Sequence, residues 1–245
     1  MVQIELNQEK YIEVRKNLSK KVDRLGFWAA VLTAVLAAAF ITMGVFGSSS
    51  WDYYPGMVNY VWTFIKTIDY VLFVPAFLLA PVFVVLMACI HYYASIDKKI
   101  FSLIGLAFGL IYATVIITDY FLLWTVILPS TIHGETAGLS LLSMYNPHGI
   151  FVSLESIAYL MMGLALLFIA PVFEGGKIER ALRWIFIIGF ILTIGSLFGV
   201  YLMNYDIVMF EIAVIAIYCP VLIISGILLS IIFRRAGKSL GGVKS

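Results

Sequence analysis

Residues 146–173 read NPHGIFVSLESIAYLMMGLALLFIAPVF, and the fold class follows from them. Asn146 is a good N-cap, and Pro147 suits the first helical position, where a missing N–H costs nothing. The roughly 25 mostly apolar residues that follow would cross a hydrocarbon core of about 30 Å at about 1.5 Å per residue. Glu155 lies inside this run, on the helix face expected to carry His148 seven residues earlier. A carboxylate on a spanning helix is expensive, and it marks a candidate functional site.

The rest of the chain has the same character. Hydrophobic residues make up 62%, charged residues 12%, and the mean hydropathy is +1.03. Soluble domains carry about 25% charged residues. One membrane domain is therefore expected, with no room for a large soluble module. Cys89 and Cys219 both fall in apolar runs, with no CxxC pair and no disulfide framework.

Hydropathy and breakers place spans at about 26–46, 70–93, 100–128, 147–173, 184–203 and 208–233. The expected fold is all-α: a polytopic bundle of six transmembrane helices behind an N-terminal amphipathic helix. That arm, residues 1–25, repeats Tyr11, Val14, Leu18, Val22 and Leu25 on one face among lysines and arginines. It reads as a helix lying on an anionic membrane surface, or as a solvated lead-in to span 1. Ala30, Ala34 and Ala38 give span 1 a close-packing face. Pro75, Pro81 and Pro220 predict kinks. The longest loop is expected at 129–145, with LSLLSMY as a short interfacial turn. The tail, 234–245, reads as basic and mobile.

Charge sets the expected topology. Fifteen of the sixteen Lys and Arg residues fall in the N-terminal arm, the turns after spans 2 and 4, and the tail. Only Lys66 falls on the other side. The positive-inside rule then puts both termini in the cytoplasm and makes this a multi-pass protein of the cell membrane. The basic residues are accounted for by topology, so no nucleic-acid partner is expected.

The acids then fall on the outer side: Asp69, Asp119, Glu135, Glu155, Asp206 and Glu211. His133 and His148 lie there too, and no acid is expected deep in the inner half of a span. Asp69, Asp206 and Glu211 sit at helix starts, where backbone N–H groups favour an anion without any function. That explanation weakens for Glu155 and fails for Asp119, near a helix C-terminus. Tyr112, Tyr159 and Tyr218 lie at helical spacings from Asp119, Glu155 and Glu211, on the same faces. A phenol can donate to a carboxylate or relay a proton.

Three readings stay open. In the first, Asp119, Glu155 and Glu211, with Tyr112, Tyr159 and His148, line an outward-facing acidic cavity. The protein would be a proton- or cation-linked carrier, or would bind a small ligand such as an amine. In the second, a carboxylate–histidine pair, Glu155 and His148, acts on a membrane lipid or isoprenoid. In the third, the chain is a structural or assembly subunit, as a homo-oligomer or beside a partner membrane subunit. A metal site on His133, Glu135, His148 and Glu155 is a weaker alternative, since their spacing follows no established ligand pattern. Phosphate-binding loops, dinucleotide fingerprints and nucleophile elbows are absent, so no cofactor is expected. The GxxxG pairs Gly105/Gly109 and Gly195/Gly199 read as helix-packing faces.

His148 and Gly149, Glu155 within the helix, the Gly175–Gly176 turn, and Leu182 leading into a Gly-rich span together resemble a group of uncharacterised six-helix prokaryotic membrane proteins, a domain of unknown function. The resemblance implies the size of the fold and no activity.

Overall fold

The computed structural model describes residues 2–47, 71, 73–135, 137–143, 146, 148–202 and 213–239. The chain is an all-α bundle in which six helices are long and apolar enough to cross a membrane. Asp69, Asp206 and Glu211, with Tyr60, Trp62 and Lys66, lie outside the described residues.

Helix α1, Val2–Gly47, runs 46 residues without a break, about 70 Å. The expected boundary near residue 25 does not interrupt it. No proline occurs in this stretch, and Gly26 is used for close packing: a Cβ there would lie 2.7 Å from the Phe233 ring. The arm thus continues the axis of the span and does not turn flat at that point. The last helix returns antiparallel along α1. A Cβ at Gly226 would lie 2.6 Å from the Ala30 carbonyl oxygen and 2.9 Å from the Ala34 methyl. The small face of span 1 is therefore its seam with the last span.

Helix α2 spans Val74–Tyr93. Pro75 stands in its first turn, where it breaks no hydrogen bond, so only Pro81 lies in the helix interior. The Lys99 ammonium donates to the free carbonyls of His91 and Tyr92 and closes the helix end. His91 Nδ1 is 2.9 Å from Ser102 Oγ, so it ties α2 to α3.

A 3₁₀ turn, Ile96–Lys98, leads into α3, Lys99–Leu122. The helix does not end at 128 as expected. It passes through a π-helical turn, Leu123–Ile127, into α4, Leu128–His133, and stops at Gly134 in the left-handed conformation, φ 74°. Pro129 explains the π turn: in regular α geometry its ring would meet the carbonyl of Thr125, and widening the turn relieves this. The same pairing recurs before Pro220, where Val214–Tyr218 is π-helical and α8, Cys219–Ser239, follows.

Leu139–Leu142 forms α5, the short turn expected there. Asn146 does not cap the next helix. Its Oδ1 accepts the His148 N–H at 3.0 Å, and its carbonyl accepts the Gly149 N–H at 2.8 Å. Asn before Pro favours this local turn, so α6, Ile150–Ile169, starts three residues later with Gly149 as its N-cap. After the Ala170–Val172 turn, α7 runs Lys177–Leu202. Lys177, Arg180 and Arg183, expected in a turn, are its first residues. Glu179 accepts the Gly176 N–H, reaching back over the helix start as in a capping box. Lys98 pairs with Glu174 at 2.9 Å, which joins the α2–α3 turn to the α6–α7 turn. These turns and Arg234, Arg235 and Lys238 of α8 form the basic end of the bundle. The tail is helical as far as Ser239, beyond the start of the expected mobile segment.

The two GxxxG pairs behave differently. Gly105 packs against Ile169 and the Ala165 carbonyl, and Gly109 against Met87 and Phe83. Among the described residues, a Cβ at Gly195 or Gly199 would meet nothing within 4 Å.

Candidate functional site

Asp119 and Tyr120 occupy the last turn of α3, just before the π turn. Adjacent helical residues point about 100° apart, so both are buried only where a helix is covered on two sides. Here they are: Asp119 is 1% exposed and Tyr120 fully enclosed. Glu155, 8% exposed, and Tyr159 face them from successive turns of α6.

The Tyr120 hydroxyl donates to Glu155 Oε1 at 2.7 Å. It also exchanges a hydrogen bond with the Tyr159 hydroxyl. Tyr159, Tyr120 and Glu155 thus form one hydrogen-bonded group. Asp119 interacts electrostatically with Glu155. Its Oδ2 is buried and has no hydrogen-bond partner among the described residues.

Aromatic rings enclose this group. Phe73 lies 4.9 Å from the Tyr120 ring and 5.9 Å from Phe151, and Phe151 is 6.0 Å from Tyr120. Toward the bundle centre, the Tyr159 and Tyr218 rings stack at 4.6 Å. Tyr112, Tyr120, Tyr159 and Tyr218 line one cavity of about 20 Å³ with Cys219 at its wall. That holds roughly one water, which needs about 10–15 Å³. The Tyr218 hydroxyl lies near Thr193 and Ser196 but makes no hydrogen bond among the described residues.

Asp119, Glu155, Tyr112, Tyr159 and Tyr218 therefore share one buried region. The partner of Glu155 on α3 is Tyr120, which face-matching along single helices passes over because the contact joins two helices. Glu211, expected as the third acid, lies outside the described residues. His148 is a correction: it is exposed in the turn before α6, outside the helix, so it does not share a helix face with Glu155. The metal alternative is also corrected. His133 Nδ1 is held by the Pro129 carbonyl at 2.7 Å, and Ser130 donates to Glu135 at 3.4 Å. Among the described residues, no three of His, Cys, Asp and Glu gather to hold an ion.

A further buried acid lies at the basic end, against expectation. Asp23 of α1 is 6% exposed, its Oδ2 unpartnered among the described residues. Tyr93 and Cys89 of α2 interact with it electrostatically, and Gly237 of α8 packs beside it. Nothing within residues 1–25 marks this acid, because its burial depends on α8 returning along α1.

No family model, curated protein or solved structure matches this chain.

Proposed function

We propose that this chain is a proton-linked membrane carrier in which Asp119 and Glu155 share a dissociable proton. The observation that carries the reading is the Tyr120–Glu155 hydrogen bond at 2.7 Å beside the unpartnered Asp119 oxygen. Two buried carboxyl groups in an apolar bundle need a positive charge with them, as a proton or a cation. Space favours the proton. The adjoining cavity of about 20 Å³ suits one water and is too small for an amine or a hydrated ion. Reversal of each hydrogen bond in the chain from Tyr159 to Glu155 would pass a proton along it. The π turns before Pro129 and Pro220 border this group and supply points where helices can flex. By the positive-inside rule, the basic end faces the cytoplasm of a cell membrane, with both termini there.

The test is proton uptake by the purified protein in liposomes loaded with a pH-sensitive dye. Wild type carries protons, and Asp119→Asn and Glu155→Gln abolish uptake while the protein stays folded. Normal uptake by both variants ends this reading. Orientation is checked with Lys238→Cys, which a membrane-impermeant thiol reagent labels only from the cytoplasmic side.

A second reading, an assembly subunit, rests on α7. Ile191, Phe198 and Leu202 are each about three-fifths exposed beside the open Gly195 and Gly199. A homo-oligomer or partner subunit seated there would dissociate in Gly195→Leu/Gly199→Leu. Unchanged size in mild detergent would exclude it.

A further inference from the structure

At the basic end, the ends of three helices line a half-open pocket of about 560 Å³. Tyr93 contributes from α2, Lys177, Ile178 and Glu179 from the first turn of α7, and Ile232 and Arg235 from α8. That volume lies within the range of roughly 300–1,000 Å³ typical of ligand sites. The two cations come from different helices, so no local run of charge explains their meeting. Both are exposed, and neither makes an ion pair or hydrogen bond among the described residues.

The charges facing the pocket decide what it takes. Glu179 is engaged in the wall: Oε2 accepts the Gly176 N–H, and Oε1 accepts the Tyr93 hydroxyl at 3.4 Å. Asp23 lies behind Tyr93 and is buried. Glu174, on the neighbouring turn, is paired with Lys98 at 2.9 Å. The unpaired charge is therefore positive, with Arg180, Arg234 and Lys238 adding to the potential at this end. Ile178 and Ile232 supply an apolar wall beside it.

We infer that this pocket binds a phosphate-bearing organic molecule, its phosphate bridging Lys177 and Arg235 and its carbon skeleton against Ile178 and Ile232. A guanidinium offers a planar fork to phosphate oxygens and an ammonium a point charge, and together they suit a phosphate monoester or diester. A bare phosphate ion would leave most of the volume empty. The same chemistry is carried by an anionic lipid headgroup and by a soluble phosphate ester. This site is independent of the Asp119–Glu155 reading.

The experiment is thermal unfolding of the full chain in neutral detergent, titrated with phosphatidylglycerol in mixed micelles, with phosphatidylcholine, and with glycerol 3-phosphate. The expected result is a saturable rise in melting temperature with phosphatidylglycerol that phosphatidylcholine does not give. Half-saturation should weaken about tenfold or more in Lys177→Gln/Arg235→Gln, because two charge-assisted bonds are lost. Lys177→Arg should bind as wild type does and shows that the position tolerates change. Arg234→Gln and Arg180→Gln, outside the pocket, should bind nearly as wild type. A response to phosphatidylglycerol alone assigns the site to a lipid headgroup, and a response to glycerol 3-phosphate as well assigns it to phosphate esters generally. The inference is overturned if neither ligand stabilises the protein, or if the outside variants lose as much affinity as the pocket variant.

Discussion

Tyr120 donates its hydroxyl proton to Glu155 at 2.7 Å and thereby joins the last turn of α3 to the first half of α6. Both partners are buried, so the bond is made without competition from water. Tyr120→Phe keeps the ring against Phe73 and Phe151 and removes only the donor. It should cost about 1.5–3 kcal/mol, the range for a hydrogen bond to a charged group. Equilibrium unfolding of Tyr120→Phe, Glu155→Met and the double variant gives the coupling, because methionine fills a similar volume and accepts only weakly. A coupling near 1 kcal/mol or more is expected. Strict additivity would mean that the two groups do not interact.

Asp119 gives the opposite pattern. Its Oδ2 has no partner among the described residues, so Asp119→Asn removes the dissociable group without breaking a hydrogen bond at that oxygen. Stability should fall by less than in Tyr120→Phe, because no hydrogen bond at that oxygen is lost. Proton uptake should be lost. A loss of several kcal/mol, measured by the same unfolding assay, would show that the carboxylate is a structural anchor.

The bundle and the burial of Asp119 and Glu155 are legible in the sequence because cost makes them so. Apolar runs of spanning length have few alternatives, and an acid far from a helix N-terminus has no cheap local explanation. What was hidden depends on contacts between helices. Tyr120 is adjacent to Asp119 in sequence and points elsewhere, so only the approach of α6 reveals its role. Asp23 reads in sequence as one charge in a polar arm, and only the return of α8 along α1 to Gly237 buries it. α6 starts later than its N-cap signal predicts for a local reason: Asn146 is an equally good turn former, and it bonds the His148 N–H in place of capping the helix.

Glycine positions separate packing from open surface. Gly226→Ala would place a methyl 2.6 Å from the Ala30 carbonyl, a backbone atom that cannot swing aside. It should cost about 1–3 kcal/mol, as overpacking does. Gly195→Ala meets nothing within 4 Å among the described residues and should stabilise α7 by about 0.5–1 kcal/mol through helix propensity. Melting temperatures of the two variants should therefore move in opposite directions. Equal losses would mean that a partner covers Gly195.

Pro220 sets the position of Tyr218. The π turn Val214–Tyr218 places one more residue in the turn than an α-helix would, and it exists because the Pro220 ring excludes regular geometry. Pro220→Ala lets the turn close, which rotates residues before it by about 100° relative to α8. Tyr218 then leaves its stack on Tyr159, now at 4.6 Å. The expected signature is a change in coupling. Tyr218→Ala should cost about 3 kcal/mol in wild type, as large-to-small core changes do, and under about 1 kcal/mol in the Pro220→Ala background. The same variant should lose proton uptake without unfolding, because the Tyr159–Tyr120–Glu155 chain loses its lower wall. If Tyr218→Ala costs the same in both backgrounds, the π turn is held by the surrounding helices and proline is not its cause.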